Sequence, residues 1–548
     1  MLPAQVNLSV PEPMIRFTSN KKYGGGICRR TLEETLATVL VPAGEAPAEG
    51  QDFGTPRYRL YVLITLTAVY TLNFIDRNLL GVVSQPIIDQ FGLSDTQYGF
   101  LTGPPFALFY AFMGVPIAMA ADRFNRVAII SLSIAIWSLM TALCGFAPGF
   151  LFLLLCRVGV AIGEAGGTPP SNSLIGDYFK PRSRAKALGV FGMGVTIGGA
   201  FAYGFGGPVG GLTNEAVLSL LTPIGLEGLP ALMGWTGSFG WRFAFIGLGI
   251  PGLLIALLLF LTVKEPPRGY SDPPGTVQME KASIVDTLRQ LRKKPAFWNM
   301  AMGASLVAFV GYGLFGFQAP MAQRISGIGP GEFALTFGVP LALISALGTF
   351  LGGWLTSRLS ARFNTAVAVI PGVGLLLAIP FYITAFYQMD HASVVTATDG
   401  AKHVTGHWPA LIAWGLGAMF HYAYIGAQYT IGQGVVSARS RASAIAILLV
   451  LVALIGNGVG PQVVGILSDT FMNMQLKAHG AGAGLTNAVC RAKDLSALPE
   501  AQQLICRTAY GEGLRQSLVA VTLVFIPAAA FYFLAARTLN KDMVASRH

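Results

Sequence analysis

The chain has 548 residues, 53% of them hydrophobic and only 11% charged, with a formal net charge of +11 and a positive mean hydropathy. That composition excludes an ordinary soluble domain and points to an integral membrane protein. The basic excess would suit nucleic acid, but Lys and Arg fall in short segments between apolar runs instead of forming a tract, so the charge reads as membrane topology and no nucleic acid is expected.

Residues 1–56 hold Lys21, Lys22, Arg29 and Arg30 among Gly and Pro, with no apolar core long enough for a signal peptide, and read as a disordered cytosolic tail. Apolar runs of about 20 residues then recur. They predict twelve spanning helices, beginning near Leu60, Gln97, Val127, Gly149, Ala185, Trp241, Phe297, Glu332, Thr365, Trp408, Ala442 and Gly513. The alternation of a transmembrane barrel does not appear. The loops after the second, fourth, eighth and tenth helices carry Arg123 and Arg126, then Lys180, Arg182, Arg184 and Lys186, then Arg358 and Arg362, then Arg439 and Arg441. Those after the first and third carry no Lys or Arg, which sets both termini in the cytosol.

The predicted organisation is a six-helix half over 57–264, a cytosolic linker over 265–295, a second six-helix half over 296–540 and a cytosolic tail over 541–548. In the linker, "ASIVDTLRQLRKK" spaces Ile284, Leu288 and Leu291 at helical intervals opposite a basic face. It fits an interfacial helix on the inner leaflet or a solvated linker helix equally well. The halves repeat: "PRSRAKALG" from Pro181 is similar to "ARSRASAIA" from Ala438, and "AMAADR" from Ala118 has a degenerate partner in "GWLTSR" from Gly353. The fold class is therefore an all-α polytopic bundle of two pseudo-symmetric six-helix halves around a central cavity.

In a bundle built of four three-helix repeats, the first, fourth, seventh and tenth helices are equivalent and should line that cavity together. The first supplies Asn73, Asp76 and Arg77, the fourth Arg157 and Glu164, the seventh Gln318, and the tenth His421 and Gln428. Arg157, Ala161, Glu164, Thr168 and Ser171 follow helical spacing, a polar stripe on an apolar helix. Arg157 and Glu164 are roughly 10.5 Å apart along the axis, so each needs a partner on another helix, and Asp76 and Arg77 carry the opposite charges. Four unpaired charges would cost on the order of 10 to 14 kcal/mol to insert. They form either a structural ion-pair cluster or, as intramembrane charges commonly do, a proton and substrate pathway. Asp76 is the first candidate for the titrating carboxylate and Glu164 the second. His421 reads as a packing residue, a substrate contact or a second proton carrier. Tyr312, Phe315 and Tyr424 make the opposite wall aromatic, which suits either plain helix packing or an amphipathic ligand with a charged head and a hydrocarbon body.

"NFIDRNLL" from Asn73, "ADRFNR", "RVGVAIGEAGGTPPSNSLIGDYF", "GWRFAF" and "VKEPPRG" resemble the Spinster-like transporters of the major facilitator superfamily, across most of the N-terminal half and the linker. The C-terminal half resembles only the wider superfamily, and the Gly- and Ala-rich character is similar to the bacterial members. The resemblance implies the twelve-helix major facilitator fold and proton-coupled transport, by alternating access, of a lysophospholipid or a molecule like sphingosine-1-phosphate. It implies proton coupling at Asp76 and Glu164, and head-group contacts at Arg77 and Arg157. It implies a cytosolic gate at Asp122, Arg123 and Arg126, whose arginines would meet carboxylates of the other half. "GGPVGG" after the fifth helix is one residue short of the superfamily's antiporter signature, and "GNGVGPQVVG" from Gly456 has better spacing. Substrate, protons and bilayer are the expected partners, with a monomer sufficient and a bacterial inner (plasma) membrane as location.

No catalytic triad, phosphate loop or metal-ligand cluster assembles on a shared face, so neither enzyme chemistry nor a cofactor is expected. An organic-anion or multidrug carrier is the alternative among transporters. A receptor without turnover, or a membrane enzyme acting on lipid head groups, is the alternative of another class. Cys144 and Cys156 read as small core residues. Cys490 and Cys506, both in the long non-cytosolic loop before the last helix, are either a disulfide or free thiols.

Overall fold

Among the described residues, twelve helices are long and apolar enough to cross a membrane: α1 (Pro56–Val82), α2 (Asp95–Arg123), α3 (Arg126–Gly145), α4 (Phe150–Tyr178), α5 (Pro181–Gly210), α6 (Gly240–Thr262), α7 (Pro295–Ser326), α8 (Pro330–Ser360), α9 (Ala366–His391), α10 (Trp408–Gly434), α11 (Arg441–His479) and α12 (Glu500–Asp542). This is a computed structural model, and it describes residues 52–272, 284–396, 402–479, 484–492 and 494–544. Most of the expected N-terminal tail, the last four residues of the expected C-terminal tail and the middle of the linker lie outside the described residues. Of the expected tail, Phe53 is held in place: its N–H donates to the Tyr178 carbonyl at 3.2 Å and its ring meets Tyr178 and Tyr270 edge-on.

Eleven starts fall within a few residues of those read from the sequence. The last does not, because α12 begins at Glu500 instead of Gly513. Its first turns are too polar to register as an apolar run, and they are supported by packing of Cys490, Cys506 and Ala509 on Met472 and Leu476. Cys490 and Cys506 are joined by a disulfide, with Cα atoms 4.8 Å apart. Cys144 and Cys156 are buried free thiols. A short antiparallel hairpin, β1 (Ser393–Thr396) with β2 (Lys402–Thr405), decorates the loop between α9 and α10.

Two local breaks shape the interior. In α4, helix geometry lapses at residues 165–167, because Pro169 and Pro170 have no N–H for the carbonyls of Ala165 and Gly166. Glu164 thus ends the first segment of its span. In α5, α8 and α11, single π-helical stretches occur at Ala202–Gly206, Ala334–Gly338 and Val452–Val459, and all three lie where the halves meet.

The linker begins as a strap on the first half. Tyr178 Oη donates to the Lys264 carbonyl at 2.5 Å, Gly269 N–H to Asp177 at 2.9 Å, and Arg184 pairs with Asp272 at 2.8 Å. Its helix, Ile284–Leu291, turns Thr287 and Leu291 inward. Ile284 and Leu288, the rest of the expected apolar face, are exposed.

Candidate transport site and gate

Pro56, Arg123, Pro295 and Asp542 share one end of the bundle, called the terminal side here; the opposite end is the far side. Midway along α1, Asn73 and Asp76 are buried while Arg77 turns toward the space between the halves. Arg77 Nη2 and Nε donate to Glu164 Oε2 at 2.7 and 3.1 Å. The guanidinium also lies 5.0 to 5.4 Å from the rings of Phe74, Phe106 and Tyr110. These contacts offset part of its desolvation by cation–π attraction. The second expected pair is not closed. Asp76 is 2% exposed, and its Oδ1, Arg157 Nε and Glu164 Oε1 are buried with no hydrogen-bond partner. Such orphaned atoms cost about 1–3 kcal/mol each, more when charged.

A cavity of ≈ 30 Å³ separates this wall from the other half. Arg77, Arg157 and Phe106 line one side, and Tyr312, Phe315 and Asn457 the other. Its volume holds a water or two. Thr168 opens the second segment of α4, and Ser171 Oγ donates to the Gly167 carbonyl at 2.7 Å.

The remaining expected residues divide. His421 is packed into the second half, with Nδ1 3.0 Å from Tyr382 Oη and its ring 4.9 Å from Phe525. Tyr424 and Gln428 are buried on α10, and Gln428 Oε1 has no partner. Gln318 Nε2 donates across the halves to Tyr203 Oη, which makes it part of a closed gate.

That gate was not legible beforehand. At the far side Arg324 Nη1 and Nη2 donate to Asp95 Oδ2 and Oδ1, each at 2.7 Å, with both side chains 2% exposed. Ser468 Oγ donates to the same carboxylate at 2.6 Å, and Arg324 lies 3.7 Å over the Tyr510 ring. Ser94 caps α2 through a capping box with Gln97, leaving the next two amides unused. Asp469 of α11 takes them, accepting from Asp95 N at 3.2 Å and Thr96 N at 3.0 Å. Its negative charge suits a helix N-terminus. Arg491, beside the disulfide, also pairs with Asp469. Between these contacts the backbones touch: a side chain at Gly465 would collide with the Asp95 carbonyl, and one at Gly207 with Ala334. Toward the terminal side, Gly189 and Gly192 of α5 and Gly353 of α8 face open space. Asp95 and Arg324 end their helices, where a sequence reader takes charges for solvated termini.

The terminal-side set behaves differently from expectation. Asp122 and Arg123 are exposed. Arg126 is buried and does not reach the other half: it pairs with Asp177 at 2.5 Å and Glu265 at 2.6 Å, and donates to the Pro266 carbonyl at 3.1 Å. Its partners come from α4 and the "VKEPPRG" strap, so in this state its contacts stay within the first half and the linker.

The Major Facilitator Superfamily profile matches residues 66–461. The chain belongs to the major facilitator superfamily. A solved bacterial homologue of the human lysosomal transporter Spinster, described as inward-facing and unoccupied, is similar over 90% of this chain and 100% of that one, at 49% identity and a TM-score of 0.80. An MFS-type efflux pump of Mycolicibacterium smegmatis is 29% identical over 447 residues, covering 82% of this chain and 93% of the pump. Protein spinster of Drosophila melanogaster is 25% identical over 531 residues, covering 92% of this chain and 80% of that protein. This is therefore a Spinster-like major facilitator, a multi-pass transporter and not an enzyme, and alternating access is its mode of transport.

Proposed function

We propose that the protein couples proton movement to the transport of an amphipathic, lipid-like substrate, a lysophospholipid or a molecule like sphingosine-1-phosphate. The observation that carries this reading is the arrangement on α1 and α4: a buried carboxylate with an orphaned oxygen at Asp76, next in sequence to an arginine already paired with Glu164. Proton uptake removes the charge of Asp76; proton release restores a carboxylate that Arg157 is available to meet. That exchange lets Arg77 and Arg157 alternate between internal partners and a substrate head group, while Tyr312 and Phe315 face the hydrocarbon part.

With both termini cytosolic in a bacterial inner membrane, as the basic loops indicate, the closed far side makes this state inward-facing. One chain contains the whole path. The test is flux of a labelled lysophospholipid in sealed proteoliposomes, with and without an imposed pH gradient, for the wild type and Asp76→Asn. Gradient-driven flux that the substitution abolishes supports the reading; full pH dependence in the variant overturns the role of Asp76, and absence of flux overturns the substrate class. Similarity to the mycobacterial efflux pump favours a second reading, a carrier of organic anions or drugs. Competition between small organic anions and the lysolipid separates the two.

A further inference from the structure

On the outer face of the first half, away from the charged cavity, α1, α5 and α6 leave a groove of ≈ 350 Å³. Ile64, Ala68, Leu72 and Ile75 of α1, Phe201 of α5 and Ile255 of α6 form it. The α1 positions recur every three or four residues, so they make one stripe of that helix. Ile64 to Ile75 spans roughly 16 Å along the axis, about half the ~30 Å hydrocarbon thickness of a bilayer. Val190 to Phe201 spans the same distance on α5, which runs parallel to α1.

The two polar residues in the wall have no free donor for an anionic group. Thr67 and Thr71 donate their hydroxyls to the Leu63 and Thr67 carbonyls at 2.7 and 2.8 Å. Toward the terminal side, the same helix faces carry cations. Lys186 lies one turn before Val190, and Arg57 two turns before Ile64. Both are exposed, and among the described residues neither has an ion pair or a side-chain hydrogen bond. Tyr58 and Tyr61, bonded to Thr262 at 2.9 and 2.5 Å, close α1 against α6 at that end, a position where tyrosines meet the membrane interface.

We infer that this groove is a binding site for one anionic diacyl phospholipid of the terminal-side leaflet, with an acyl chain between α1, α5 and α6 and its phosphate on Lys186 and Arg57. Charge complementarity selects the occupant: an apolar slot alone accepts any chain, whereas two unpaired cations at its mouth select a negatively charged head group. Ile75 sits at the inner end, next to Asp76, so the bound lipid braces the helix that carries the charged pair. The site lies outside the transport path and does not depend on what is transported.

The test is native mass spectrometry of the detergent-solubilised protein titrated with phosphatidylglycerol or phosphatidylcholine of identical acyl chains. The wild type is expected to retain one phosphatidylglycerol in preference to phosphatidylcholine. Arg57→Gln with Lys186→Gln should weaken phosphatidylglycerol retention roughly thirtyfold, the factor two headgroup cations supply, and leave phosphatidylcholine unchanged. Ala68→Phe, which fills the slot, should remove the bound lipid while the charge variant keeps its fold. Equal retention of the two lipids by the wild type, or undiminished retention by the double variant, overturns the site. So does preferential retention of single-chain lysophosphatidylglycerol, which would assign the groove to a transported molecule. Since the readout is bound lipid and not flux, failure of proton-coupled lipid transport leaves this result interpretable.

Discussion

Replacing Asp95 by Asn removes the charge from the far-side gate while keeping its shape. In the closed state Arg324 then stays buried with one amide oxygen in place of the carboxylate, Gln85 at 2.9 Å, the Tyr510 ring and the more distant Asp89 for company. Removing one partner of a buried ion pair costs about 3–5 kcal/mol, because the other charge is left uncompensated. When the far side opens, both groups reach water and the penalty lapses, so nearly all of it bears on the closed state. At about 1.4 kcal/mol per factor of ten, the closed-to-open ratio should fall by about two to three and a half orders of magnitude. Spin labels on cysteines replacing Glu227 and Lys477, both exposed at the far side, report the separation of the halves. The variant should populate a longer distance that is minor in the wild type. Asp95→Asn combined with Arg324→Gln should be milder than Asp95→Asn alone, since no buried charge remains. An unchanged distance distribution in Asp95→Asn would refute the argument that this pair holds the gate.

Other substitutions probe the neighbouring contacts. Gly465→Ala should favour the open far side in the same distance measurement, because its methyl group meets the Asp95 carbonyl, while Gly353→Ala, facing open space, should be silent. Glu164→Gln strands Arg77 among three aromatic rings and should lower stability by about 2 kcal/mol, less than a fully enclosed pair because Arg77 retains some solvent and cation–π attraction; a thermal melt in detergent checks this. Arg126→Ala leaves Asp177 and Glu265 facing each other without their shared cation and should cost about 3–5 kcal/mol. Hydrogen exchange should then show the strap at 264–272 loosened, with the far-side gate unaffected.

Twelve spans, their pairing into two halves and the charged stripe on α1 and α4 were legible in the sequence. A bilayer imposes length and apolarity on every helix that crosses it, and an intramembrane charge is too costly to occur without a role. Local chemistry also explains the break in α4, since two successive prolines withdraw two donors whatever the surroundings. Which charges meet was decided by tertiary structure alone. Arg77 meets Glu164 as its charge demanded, but Asp76 and Arg157 are left without a closed pair, Arg126 finds its carboxylates in its own half and the linker strap, and Gln318 leaves the expected cavity for the gate. The Asp95–Arg324 pair joins residues 229 positions apart at the ends of two helices from different halves, and it is assembled by closure of the far side. A sequence fixes what each helix must bury; the angle between the two halves sets which side chains come within hydrogen-bonding distance, and that angle is the variable a transporter changes.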